Sequence, residues 1–484
     1  MSRSFLGHAA IYGLGTFLMQ AAGFVLLPLY LRCLSREELG ILEVATRLAE
    51  TAGTLLLFGG FRQALFALYA QAETSQDKLH VVTAVYVLLT SGLVVGLLIT
   101  LVLPPLDMIP TVVLRLAVIT VLLEPFLLMP LSLMQARMQS GWYVGLVSMQ
   151  FLVRVLLSWT LVAWCGWGVI GVLSGNVLAV GLLGLGFTAW ELTRGVVWPR
   201  LADVQAILSF ALPLVPGGLC FFLLHHGDRF FLLAYATAAE VGEYGIAYKL
   251  GMLVTTFGLG PLYMVWSARM YAIAREADAA IVFGQMFTRM LAWLLVVGLG
   301  LCLFVEDVLH WMGGKEYPLA AQLVPAVVLA CAFQAFATLA DGGLYIRRRT
   351  DRKLGISILA ALVMLLLYAL LIPLGGVRGA ALATIIGFAA LATLTYVFSQ
   401  PLFPVRYEWG RLAALLAITV GLWLVSVHIP WSQSTALRLM ARFGLFLLAP
   451  ILYATLISPG EWEIFAGWVG SKSTGMKLTE EGAS

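Results

Sequence analysis

The chain has 484 residues, 61% of them hydrophobic and 11% charged, with a formal net charge of +4 and a mean hydropathy of +0.96. A charged share less than half the soluble-domain figure of about 25% excludes a large soluble core and points to a polytopic, all-α integral membrane protein. The small net charge and the lack of a basic domain exclude nucleic acid as a partner.

A bilayer core needs about 20 apolar residues per helix. On that basis fourteen spans are predicted, near 7–31, 39–69, 80–103, 111–134, 142–164, 168–190, 205–234, 244–268, 282–305, 321–345, 354–374, 378–400, 410–428 and 436–457. The first apolar run is longer than the roughly 7–15 residues of a cleaved signal. Connections are short, and the longest, near Glu306 to Ala320, has no room for a folded domain. The five cysteines are scattered without a C-x-x-C pair, so neither a metal site nor a disulfide framework is indicated, and no cofactor is expected.

Span 2 opens with "LEVATRLAE", 42–50. At 100° per residue Glu43, Arg47 and Glu50 share one helix face within about 60°. Each charge costs about 2.5–3.5 kcal/mol at a helix centre, so three together exclude a lipid-facing position. The spacing permits Glu43–Arg47 and Arg47–Glu50 pairs. Two readings stand: a structural ion pair between helices, or a polar stripe on a water-filled cavity.

Glu124 sits midway along span 4 beside Pro125, and Arg154 midway along span 5, which also carries Tyr143, Gln150 and Trp159, available as aromatic and amide contacts or as membrane-belt residues. Span 7 carries His225, His226, Asp228 and Arg229. Ending that span at Leu224 would leave "RFFLLAYA" as an orphan apolar run, so the cluster is placed inside the membrane. Pro213, Pro216, Gly217 and Gly218 weaken the helix below it, as a hinge or a static kink. Lys249 on span 8 and Arg289 on span 9 complete the intramembrane charges of interest. Arg115 and Arg442 lie close enough to helix ends to snorkel. Arg47, Arg154, Arg229, Lys249 and Arg289 are the candidate substrate contacts. Glu43, Glu50, Glu124, Asp228 and His225 are the candidate coupling and ion-pair groups. A cationic wet cavity of this kind suits an anionic head group, because guanidinium offers a planar fork of charge-assisted donors.

Orientation follows the loop charges. With a cytoplasmic N-terminus, sixteen Lys and Arg fall in inside segments and five in outside ones, and "RRRTDRK" at 347–353 is the strongest single indicator. Both termini are therefore expected in the cytoplasm. Reporter fusions after Arg352 and at the C-terminus should read cytoplasmic, and one near Lys315 external. An external signal after Arg352 would overturn the span assignment.

The chain repeats itself. "ELGI" at 38–41 recurs as "EYGI" at 243–246, and "GVIGVLSGNVLA" at 168–179 recurs as "GVRGAALATIIG" at 376–387. The offsets, 205 and 208, are nearly equal. Spans 1–6 and 7–12 therefore read as two parallel repeats, with a site between the halves near the midplane. The expected layout is a six-helix lobe at 1–200, a second at 201–403, two extra spans at 404–460 and a cytoplasmic tail at 461–484. The small residues around Gly168, Gly171, Gly376 and Gly379 suggest close packing of spans 6 and 12.

"PLYLRCLSREELG" at 28–40 resembles the P-x-Y-x-R-x-L-x-x-E-x-[YF]-G pattern of polysaccharide transporters, the O-antigen and exopolysaccharide flippases of the MOP superfamily, which are related to MATE exporters and lipid II flippases. "VGEYGIAYKL" at 241–250 resembles the second-half counterpart. One departure is visible. Where such proteins often carry an arginine in "ALxRFY", this chain has "ALFALY" at 64–69, with Ala67 in its place and Arg62 five residues earlier. The resemblance covers about residues 1–400. It implies a MATE-like fold in the bacterial cytoplasmic membrane and a lipid-linked oligosaccharide as substrate. It also implies coupling to a proton or sodium ion, a groove for the lipid tail flanked by spans 13 and 14, and polysaccharide polymerase and assembly proteins as partners alongside membrane lipids. The competing readings are a cation-coupled exporter, which would favour a carboxylate-rich cavity, and a membrane glycosyltransferase, ligase or polymerase. The short outer loops offer only Asp107, Glu306 and Asp307 as mid-loop acids, and no nucleophile elbow, zinc motif or phosphate loop is present, so no enzyme is expected.

Overall fold

The computed structural model describes residues 23–56, 58–102, 109–313, 317–429 and 435–457. Most of span 1, Lys315 and the tail at 461–484 lie outside them. Among the described residues the protein is helical throughout, with no strand. Eleven helices are long and apolar enough to cross a membrane, or twelve if one bent pair is a single span. This is a multi-pass membrane protein. Leucines and valines stand exposed along many of these helices, as a hydrocarbon solvent permits.

The chain forms two compact units interleaved in sequence. One holds the described residues up to Ile246 with Asp307–Ala320 and Ser357–Gly387; the other holds Ala247–Glu306, Ala321–Ile356 and the described residues from Phe388 onward.

In the first unit, α1 (Leu27–Cys33) leads into α2 (Arg36–Leu55). Ser35 starts α2 by a capping box. Its hydroxyl accepts from Glu38 N at 3.1 Å, and its own N–H donates to Glu38 at 2.9 Å. Span 2 is not one straight rod: α3 (Phe58–Gln71) follows a bend of 40°. The unit continues through α4 (Ser75–Val102), α5 (Thr111–Ala136), α6 (Ser140–Ser158) and α7 (Gly168–Leu192). Span 7 divides into α8 (Leu201–Ala211), α9 (Val215–His226) and α10 (Asp228–Tyr235), with a tight turn at Leu212–Leu214 beside the prolines. The histidine–aspartate–arginine cluster is helical, as the apolar run after it required.

Span 8 begins with α11 (Ala238–Leu253), whose first residues belong to this unit. It packs against the start of α2 through the two repeat motifs. A Cβ at Gly40 would collide with the carbonyl of Ala238, and one at Gly242 with the carbonyl of Arg36. Arg36 pairs with Glu243 at 3.1 Å, and Glu243 also accepts from Ala320 N at 3.0 Å. Tyr317 donates to the carbonyl of Leu31 at 2.7 Å, and Arg32 donates to those of Met312 and Trp311.

The second glycine repeat has a backbone cause. Gly168 and Gly376 adopt φ of 55° and 53°, the left-handed region that favours glycine. Each begins a new helical run. Gly376 breaks Thr350–Ser399 into two helices across a kink. The close packing expected of spans 6 and 12 is found at Gly171 and Gly379, and its partner is the neighbouring segment of chain. Gly171 lies against Leu161, and Gly379 against Leu371, so each lets its helix fold close to the segment just before it.

The second unit contains α12 (Gly260–Ile273), α13 (Ala279–Gly313, up to Glu306), α14 (Pro318–Ala340, from Ala321), α15 (Gly342–Ile346), both ends of α16 (Thr350–Ser399), α17 (Trp409–His428) and α18 (Thr435–Leu456). Lys353 pairs with Asp341 at 2.6 Å and meets the Tyr345 hydroxyl, anchoring the basic 347–353 segment.

Candidate functional site

The stripe on α2 forms the two pairs its spacing permits. Arg47 donates from Nε to Glu43 at 3.1 Å and from Nη1 to Glu50 at 2.6 Å. Exposure rises along the stripe, from 3% for the Glu43 side chain to 18% for Arg47 and 36% for Glu50. One end is therefore anchored in the protein and the other reaches open space.

The anchored end joins span 7. Arg229 is 1% exposed and lies 3.6 Å from Glu43 through Nη2. Its Nη1 donates to both oxygens of Asp228, at 2.6 and 2.8 Å, and its backbone N–H also donates to Asp228. Asp228 is wholly buried and accepts from the Tyr244 hydroxyl at 2.5 Å. The Arg229 guanidinium lies 5.0 Å over the Tyr244 ring. His226 Nε2 is 3.5 Å from Arg47 Nη1, and buried His225 bonds the carbonyl of Phe221. The run Glu50–Arg47–Glu43–Arg229–Asp228–Tyr244 thus links α2, α10 and the start of α11 by ionic and hydrogen-bonding contacts. It sets three carboxylates against two guanidiniums. Its buried members are partnered, as buried charges must be.

Beside it lies a cavity of about 670 Å³ bounded by α2, α3, α5, α8 and α9. Glu50, Glu124, Arg62 and His226 are among its lining residues, with Gly53, Gly59, Gly60, Gly217 and Gly218 leaving stretches of bare backbone. Arg47 and Arg229 are not among the lining groups. Pro125 also lines it; lacking an N–H, it leaves the carbonyl of Val121, another lining residue, without its usual helical donor. The Glu124 side chain is exposed to this space.

Arg154, on α6, is part-buried, and its Nε has no hydrogen-bond partner among the described residues. Tyr30 lies 3.4 Å from the Ser158 hydroxyl one turn further on. Lys249 and Arg289 belong to the second unit, where Lys249 is exposed and Arg289 buried.

The sequence reading missed Tyr244 and Arg62 as members of this region. Tyr244 had a signal, since it sits inside the repeated "EYGI". Arg62 had one too, as the basic residue nearest the substituted "ALxRFY" position.

The model of the polysaccharide biosynthesis protein family matches residues 5–267. No curated protein matches by sequence. Among solved structures the fold is similar to a lipid II flippase MurJ in an inward closed conformation, with a TM-score of 0.70, 12% identity, and coverage of 92% of this chain and 98% of that one. It is also similar to a multidrug resistance MATE family transporter of the MOP superfamily in an inward-facing conformation, with a TM-score of 0.61, 14% identity, and coverage of 79% and 94%. A MOP superfamily transporter from Pyrococcus furiosus, described as having a binding pocket of reverse polarity, matches with a TM-score of 0.52, 13% identity, and coverage of 81% and 95%. With more than half its length matched by the family model, the chain belongs to the polysaccharide biosynthesis protein family and carries the fold of MOP-superfamily transporters.

Proposed function

We propose that this protein is a flippase. It moves a polyprenyl-pyrophosphate-linked oligosaccharide from the inner to the outer leaflet of the bacterial cytoplasmic membrane by alternating access, for cell-surface or extracellular polysaccharide synthesis. The observation that carries this reading is a large charged cavity in the membrane portion of a polysaccharide biosynthesis family member. A static scaffold has no use for such a space, because intramembrane charges are costly and ordinarily mark pathways. We read the chain as fourteen spans in two six-helix lobes plus two, with both ends cytoplasmic. In this reading Arg47 is the midplane phosphate contact, Arg229 and Asp228 hold Glu43 in place, and Arg154 adds positive potential. Lys249 and Arg289 serve the second unit. Glu50 and Glu124 carry the coupling proton or sodium ion.

A second reading has a specific observation behind it. Both Glu50 and Glu124 line the cavity, and a carboxylate-rich wall suits the cationic cargo of an exporter.

Proteoliposomes separate the two. Purified protein should move a fluorescent short-chain polyprenyl-pyrophosphate oligosaccharide across the bilayer and leave a lipophilic cationic dye untransported. Dye movement without lipid movement would establish the exporter instead.

A further inference from the structure

The cavity of the first unit is polarised along its length. Glu50 and Arg62 are twelve residues apart on α2 and α3, a helical rise of about 18 Å, less the effect of the bend. Helix α5 runs alongside with the same order. Glu124 lines the cavity together with Glu50, while Gln135, eleven residues and about 16 Å further on, accepts from Arg62 Nη2 at 3.3 Å. One end of the cavity therefore presents two carboxylates and the other one guanidinium.

That guanidinium is available. Arg62 is exposed, and its contacts are the neutral amide of Gln135 and the ring of Phe66 at 5.9 Å. No carboxylate pairs with it among the described residues. Arg47 and Arg229 differ, since their charges are already met by Glu43, Glu50 and Asp228. Gly59 and Gly60 also line the wall and present bare backbone there. They also stand in the first turn of α3, where unpaired N–H groups add partial positive charge. The span orientation predicted from loop charges places this end toward the cytoplasmic leaflet, where a lipid-anchored head group would arrive.

We propose that Arg62 is the loading contact for the pyrophosphate. This rests on the flippase reading and deepens it: the anion is first held at the arginine end, while the carboxylate end keeps it from moving deeper until Arg47 is released from Glu50. Arg62 then sets specificity for a charged diphosphate over a neutral lipid.

The test is equilibrium binding to purified full-length protein in nanodiscs, using polyprenyl pyrophosphate and uncharged polyprenol of the same length as probes. Wild type should prefer the pyrophosphate. Arg62→Gln should weaken pyrophosphate binding about tenfold or more, with polyprenol unchanged. Arg62→Lys should fall between, because it keeps the charge and loses the fork. Arg115→Gln, a cation outside the cavity, should bind like wild type. Pyrophosphate binding by Arg62→Gln equal to wild type would overturn the loading role alone. A wild-type protein that does not distinguish the two probes would overturn the flippase reading, and the loading role with it.

Discussion

Asp228→Asn is expected to strip the protein of most of its stability. Asp228 is wholly buried and accepts from the Arg229 guanidinium, the Arg229 backbone and the Tyr244 hydroxyl. An amide of the same shape removes the charge and turns one acceptor into a donor facing donors. Arg229, 1% exposed, would lose the carboxylate 2.6 Å from its Nη1, and Glu43, 3.6 Å from its Nη2, is already shared with Arg47. Removing one partner of a buried ion pair costs about 3–5 kcal/mol, a large part of the roughly 5–15 kcal/mol that holds a native protein together. Thermal unfolding in detergent and steady-state abundance should both fall sharply. Tyr244→Phe removes a single hydrogen bond to a charged group and should cost about 1–3 kcal/mol. Wild-type unfolding behaviour for Asp228→Asn would show that the pair is not structural.

What could be read from the chain follows the range of the forces involved. The Glu43–Arg47–Glu50 pairs depend only on helical periodicity, so residue spacing was enough. The glycines at 168 and 376 were legible as a repeat, because a left-handed φ demands the same residue in both halves; their packing partners were not. Arg229 shows the limit most clearly. As a cation inside a span it reads from sequence as a substrate contact, while in the structure it pairs with the residue just before it and with a carboxylate on another helix. Summing charges along a sequence cannot reveal the Arg229–Glu43 contact, which joins two helices far apart in the chain. The same blindness made the cavity look cationic. Its wall instead contains Glu50, Glu124 and Arg62, brought together by a bend in span 2 and by proline and glycine positions in spans 4 and 7. Hydropathy located apolar helices, of which eleven, or twelve with the bent pair, are long enough to cross a membrane among the described residues against the fourteen spans expected, since about 20 apolar residues is a physical length. It carries no information on where a helix bends.

Arg47→Gln is expected to abolish export while leaving the fold intact. The fold survives because Glu43, the buried member of the stripe, keeps Arg229 within 3.6 Å. Export fails because the proposed switch needs a cation that can trade partners. At rest Arg47 holds Glu43 and Glu50, which lowers the cost of a charge deep in the membrane and fixes its direction. An arriving phosphate competes for the guanidinium and frees Glu50, whose side chain already reaches the cavity, to take a proton or cation. A ligand shifts a two-state equilibrium only through contacts that differ between the states, and this exchange supplies them. Losing one charged hydrogen-bonding partner for the phosphate is worth about 1.5–3 kcal/mol, or roughly 10–100-fold in transport, enough to lose complementation of a flippase-deficient strain at unchanged protein abundance. Arg47→Lys should recover part of it, since charge remains without the planar fork. Glu50→Gln should bind the lipid and turn over slowly, with an altered response to the proton or sodium gradient. The decisive variant is the double Arg47→Gln/Glu50→Gln. It restores the net charge of the stripe and removes the partner exchange, so it should stay inactive. If it exports its glycan at the normal rate, Arg47 merely balances Glu50, and the stripe is a structural ion pair with no part in moving the substrate.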